Sequence, residues 1–204
     1  MSGFLQLAGM MLTDTPAAWQ RLRARLPNAY ERWLLLVATV ILSTLAAWTM
    51  GRLLPPIAPP ATGDPAAEIM ALMRRQLEER PLAFTAIQFL WLVFAIGAVT
   101  VIGRLFGGRA RFDEVVLAAG WMKALLLVVQ LAQLAVMTLS MGMAAMLALV
   151  ESVLYLFLAV RLTQVVHGFS SPARVALAML ACFFLILFAV ALRLTVFGLV
   201  PTEI

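Results

Sequence analysis

Apolar residues in this chain do not alternate with polar ones. They come in five unbroken runs, roughly Trp33–Leu54, Leu82–Gly103, Val115–Leu139, Met143–Val166 and Val175–Phe197. A helix rises 1.5 Å per residue and a bilayer core is about 30 Å thick, so about 20 apolar residues suffice to cross it. Continuous runs exclude a transmembrane barrel, whose strands alternate over about ten residues. Hydrocarbon also offers no partner to an open backbone, which leaves helices. The pattern predicts an all-α fold: a polytopic membrane helical bundle of five transmembrane helices over residues 33–204, with an N-terminal amphipathic interfacial helix inside segment 1–32.

That segment begins with Phe4–Leu12, apolar but too short to span. Thr15 then reads as an N-cap and Pro16 as the first helical residue. Trp19, Leu22 and Leu26 recur on one helical face, with Arg21, Arg23 and Arg25 off it. A basic amphipathic helix carrying Trp suits the headgroup layer. Packing of the same stripe on the chain's own bundle is the other placement, and the two are compatible. Without a basic n-region or cleavage site, the first run is expected to act as an uncleaved signal anchor. Pro55, Pro56, Pro59 and Pro60 break the chain after it. Ala66–Glu79 then reads as a short helix with Arg74–Glu78 and Arg75–Glu79 at i, i+4. Asp113 and Glu114 fall in the first turn of the third long helix, where the helix dipole favours them. An uncharged turn near Ser140–Met143 makes the third and fourth runs antiparallel neighbours. Ser171 and Pro172 read as cap and first residue of the fifth.

Composition agrees with this pattern. Hydrophobic residues make up 64% of the chain and charged ones 12%, against about 45–50% and 25% in soluble domains. The net charge of +5 comes from residues dispersed at the ends of the runs, where headgroups account for them better than nucleic acid would. Lys123 is the only Lys among 15 basic residues, a bias that leans towards a GC-rich bacterial genome. Arg21, Arg23, Arg25 and Arg32, then Arg104, Arg109 and Arg111, then Arg174 beside His167, share one side of the threading. By the positive-inside rule the N-terminus is cytoplasmic and the C-terminus outside, in a bacterial inner membrane.

Candidate chemistry is sparse. Ionisable residues inside lipid are functional candidates by default. Lys123, Gln130 and Gln133 share one face of the third run, and Glu151 lies on the fourth. Counted from the cytoplasmic ends, Gln133 and Glu151 both fall roughly 24 Å deep. A hydrogen bond from Glu151 to Gln133 or Gln130 is therefore expected, serving either as interhelical glue or as a proton or cation site. Lys123 and Arg161 fall at a common shallower depth and are long enough to snorkel. His167, the sole His, sits at the end of the fourth run, where the interface explains it. Cys182 is the sole Cys, so no intrachain disulfide or zinc framework is possible. No catalytic set, cofactor site or metal site emerges, and no phosphate loop is completed. The chain does not read as an enzyme.

The stretch Gly107-Gly108-Arg109-Ala110-Arg111-Phe112 before the third run and His167-Gly168-Phe169-Ser170-Ser171-Pro172-Ala173 after the fourth carry a resemblance. With five spans and a basic, proline-containing N-terminal segment, this layout resembles the Yip family of membrane proteins, in particular its bacterial members. The resemblance covers about Thr15 to Phe197. It implies a fold and a topology but no assigned activity. Eukaryotic members are described as acting with Rab-type GTPases in early secretory traffic and membrane shape. Their "DLYGP" and "GYGYS" motifs are missing here, which argues against a GTPase partner. The expected role is a non-enzymatic membrane adaptor or organiser. Its partners are the lipid bilayer and other membrane proteins or a second copy. The alternative is a small transporter or channel subunit using a polar site around Glu151.

Overall fold

The structure is a computed structural model that describes residues 2–53, 65–180 and 184. All its regular elements are helices: α1 (Ser2–Thr13), α2 (Thr15–Arg25), α3 (Ala29–Leu53), α4 (Pro65–Glu79), α5 (Pro81–Leu105), α6 (Phe112–Met137) and α7 (Met141–His167). Residues 172–180 begin a further helix. Four helices are long and apolar enough to cross a bilayer: α3, α5, α6 and α7. They correspond to the first four apolar runs. The proline-rich connection 54–64 and most of the fifth expected span lie outside the described residues, as does the C-terminus whose placement the charge pattern predicts.

Local signals set most helix ends. Ser140 caps α7, its Oγ accepting from the Met143 N–H at 3.4 Å. Gly168 closes the same helix with φ 72°, a left-handed conformation that glycine adopts without a Cβ clash. Ser171 accepts from the Arg174 N–H at 3.4 Å at the start of the last described helix. One expected cap shifts by a residue. Asp14, not Thr15, caps α2, accepting from the Ala17 N–H at 3.2 Å. Thr15 is already helical, and its hydroxyl donates back to the Met11 carbonyl at 2.9 Å. The carboxylate is the stronger acceptor for an orphan helix N–H, and the threonine is drawn into the turn from α1.

The central helix is α6, which packs on α3, α5 and α7. In its membrane-length window 56% of residues are buried by protein, against 6% for α5. Leu90, Trp91 and Phe94 of α5 and Leu149, Val153 and Leu156 of α7 are exposed. Apolar faces of that extent fit hydrocarbon, not water. The molecule is thus a multi-pass membrane protein with α6 as its spine.

The N-terminal segment forms more structure than its sequence specifies. Phe4–Leu12, apolar and too short to span, lies within α1, which folds back against α2 as a hairpin. Phe4 packs on Trp121 of α6 with ring centroids 5.1 Å apart. Leu7 and Met11 join Ala18, Trp19 and Leu22 in one buried cluster with Val115, Val116, Leu158 and Leu162. Trp19 is 4% exposed. Of the two placements open to the α2 stripe, the structure realises packing on the bundle, because α1 and α7 cover it.

Candidate functional site

Two polar regions stand out, one at the end of the bundle that carries the α1–α2 hairpin and one inside the spans. The first gathers the N-terminus of α3, the connection between α5 and α6, and the end of α7. Arg32 of α3 is buried and pairs with Asp113, while its guanidinium also donates to the carbonyls of Leu26 at 2.9 Å and Pro27 at 3.3 Å. Asp113 has a second cation, Arg111, at 3.2 Å. Glu114 is buried, pairs with Arg23 of α2 at 2.9 Å, and accepts the Arg111 backbone N–H at 3.0 Å. Buried carboxylates are tolerated only with such partners. Their place in the first turn of α6 adds the favourable dipole. Three arginines therefore close two acids and tie α2, α3 and α6 together.

His167, the last residue of α7 as expected, completes this end and is enclosed by protein. It is 2% exposed, stacked on Phe169 at 5.4 Å with planes 13° apart. The ring fits because two glycines leave room. A Cβ on Gly103 would lie 2.1 Å from the imidazole Cε1, and one on Gly108 2.3 Å from Nδ1. Gly107, by contrast, serves the turn, with φ 85°. The Arg109 N–H donates to the His167 carbonyl at 3.1 Å. The two sequence stretches singled out above, 107–112 and 167–173, thus meet directly at one side chain and one backbone bond. Neither ring nitrogen has a hydrogen-bond partner among the described residues. The imidazole acts as a packing block seated on glycine backbone. In sequence, Gly103 and Gly107 fit the small-residue spacing of a helix contact and Gly107-Gly108 a turn, but neither pattern says that a distant ring will rest on Gly103 and Gly108.

Inside the spans the polar groups pair off. Gln133 of α6 is buried and donates to Glu151 Oε2 of α7 at 2.8 Å, the contact expected from depth counting. Gln130 turns to α3 instead and donates to the Ser43 carbonyl at 3.1 Å. Thr44 of α3 and Gln88 of α5 lie 3.2 Å apart, a pair that sequence reasoning missed because the long connection between α3 and α5 leaves their relative depth unset. Lys123 is half-buried on α6, within electrostatic reach of Glu151. Arg161 does not join Lys123; it donates to Gln164 on its own helix at 3.2 Å. Of the four basic-helix residues expected at the interface, Trp19 faces protein and Arg23 holds Glu114, while Arg21 and Arg25 remain exposed.

An apolar groove of about 120 Å³ runs between α5, α6 and α7, lined by Ala95, Ile96, Ala118, Ala119 and Leu162, with Tyr155, Thr163 and His167 its more polar members. Among the described residues no group of three His, Cys, Asp or Glu is placed to hold a metal. The arrangement can join helices and present a rigid face.

A family model described as the Yip1 domain matches residues 9–192. No curated protein matches the chain. No solved structure matches it either.

Proposed function

We propose, from the premise that this chain belongs to the Yip family, that it is a non-enzymatic membrane adaptor or organiser of a bacterial inner membrane. The N-terminus and the arginine-paired end face the cytoplasm, five helices thread the bilayer, and the C-terminus lies outside. The observation that supports this reading is the closure of the hairpin-bearing end by Arg23, Arg32 and Arg111 on Asp113 and Glu114. Ion pairs of this kind are weak evidence for stability but suit a face that must keep one shape. Such a face is a docking platform for other membrane proteins or for a second copy. The transporter alternative draws on the polar site around Glu151, where the carboxylate is engaged by Gln133 and Gln130 turns away to the Ser43 carbonyl.

Purification of the tagged full chain from its native membrane tests the reading. Proteins that co-purify with wild type and with Glu151→Gln, but are lost with Arg23→Gln, support it. Solute or proton flux in reconstituted vesicles that Glu151→Gln abolishes would replace it with the transporter.

A further inference from the structure

The α1–α2 hairpin has two unlike outer surfaces, and helical geometry relates them. Arg25 Nη1 donates to the Gly3 carbonyl at 3.3 Å and Arg21 Nη1 lies 3.1 Å from Met10 Sδ, so Gly3 and Met10 mark the flank of α1 that faces α2. Leu5 and Leu12 are two residues further on. At 3.6 residues per turn their stripe falls roughly 160° around the helix from that flank. Both are exposed, at 62% and 48%. The face between, through Leu7 and Met11, is buried on the bundle. Thus α1 carries apolar side chains pointing away from α2, while α2 covers its opposite flank with arginines.

Charge on this end is predominantly basic, and Glu31 of α3 is its one carboxylate among the described residues that neither pairs with an arginine nor caps a helix. Asp113 and Glu114 are consumed by Arg23, Arg32 and Arg111, and Asp14 caps α2. Arg21, Arg25, Arg104, Arg109 and Arg174 are exposed and have no carboxylate partner among the described residues. Exposed Tyr30, Leu105 and Phe106 stand at the same end of the bundle. Apolar residues beside unpaired arginines, at the end of membrane-crossing helices, match the boundary between acyl chains and anionic headgroups.

We propose that the α1–α2 hairpin docks on anionic phospholipid of the leaflet that the bundle itself crosses. Leu5 and Leu12 of α1 enter the edge of the hydrocarbon, and Arg21 and Arg25 of α2 hold phosphate groups above it. The lipid-contacting helix is therefore α1. The Trp19 stripe of α2, which suggests an interfacial helix from sequence, is protein-facing. The docking requires no protein partner, so it stands or falls independently of the adaptor reading.

The test uses the full chain carrying Cys182→Ser, reconstituted in phosphatidylcholine bilayers with and without phosphatidylglycerol. Spin labels are placed singly at Leu5→Cys, Leu12→Cys and Gln20→Cys. Labels at 5 and 12 should favour collisions with oxygen dissolved in the acyl layer, and the label at 20 should favour a water-soluble relaxant. Arg21→Gln with Arg25→Gln should lower the ratio of phosphatidylglycerol to phosphatidylcholine retained on the purified protein by about fivefold per arginine removed. A thermal melt confirms that this double variant keeps its bundle. Equal exposure of positions 5 and 20 to the aqueous relaxant overturns the proposal. So does an unchanged lipid ratio in the double variant. Protection of positions 5 and 12 from both relaxants, with cross-links between copies through Leu5→Cys, also overturns it and assigns the stripe to a second copy of the chain.

Discussion

The two halves of α6 meet different surroundings. From Glu114 to Trp121 every residue is buried. A helix has no free side over that stretch only when it is walled all round, and the fourth wall is the α1–α2 hairpin, with Phe4 on Trp121 and Arg23 on Glu114. Beyond Leu127 exposed residues return, with Val128 and Leu131 among them. In the enclosed half, charge is admitted only as direct ion pairs, and space is made by glycine. In the open half, single amide contacts suffice, because the neighbouring helices and lipid leave each polar group one partner to find. The comparison teaches that in this protein the constrained structure lies at the hairpin-bearing end, not at the middle of the membrane where an ionisable residue first draws the eye.

The largest effect is expected at Arg32. Its substitution by Met leaves Asp113 with Arg111 alone and frees the carbonyls of Leu26 and Pro27. Breaking a buried pair costs about 3–5 kcal/mol; the remaining cation on Asp113 places this one near the lower limit. Denaturant titration in mixed micelles measures it. A cost no greater than that of Glu151→Gln would erase the contrast between the halves. Gly103→Ala comes next. Its Cβ would meet the His167 ring at 2.1 Å, so ring or helix must move. Overpacking of this kind costs about 1–3 kcal/mol. The same change made in a His167→Ala background should cost under about 0.5 kcal/mol if the slot is the cause, since coupling between contacting residues then vanishes. Thermal unfolding of the four proteins in this cycle decides it. Arg23→Gln follows at about 1 kcal/mol, because a charge-assisted bond is lost but Arg23 is half-exposed and Glu114 keeps the Arg111 N–H. Its melt should also expose the hairpin to protease at lower temperature than the bundle.

How much of this was legible in the sequence follows the same division. The long helices were readable because unbroken apolar runs admit few other structures, and α3, α5, α6 and α7 fall on the first four runs. The Gln133–Glu151 contact was readable because a tight turn at Ser140 fixes the register of two antiparallel helices. The hairpin-bearing end was not. Phe4–Leu12 has too few residues to form a stable helix alone; it becomes α1 by folding back on α2 and burying Leu7 and Met11 in a cluster that also includes residues of α6 and α7, more than a hundred residues away in the chain. Gly103 reads as a small residue at a helix contact and Gly108 as a turn signal, and nothing local says that a ring sixty residues on will rest against both. The Trp19 stripe shows that an apolar face exists but not whether lipid or protein meets it.

Glu151→Gln should have the smallest effect, and it sharpens the comparison from the other side. The amide keeps the shape of the carboxylate and an acceptor for the Gln133 Nε2 donor. Polar contacts between membrane helices average about 0.6 kcal/mol when measured by double-mutant cycles, so a loss of that size or less is expected in the same micelle titration. The reason is that an unfolded chain left in the membrane finds other partners for the same groups. Gln133→Leu should then cost no more in the Glu151→Gln background than in the wild type. A much larger loss for Glu151→Gln alone would mean that the negative charge itself is needed. Lys123 would be the cation that needs it, and the middle of α6 would hold an ion pair as demanding as the one between Arg32 and Asp113.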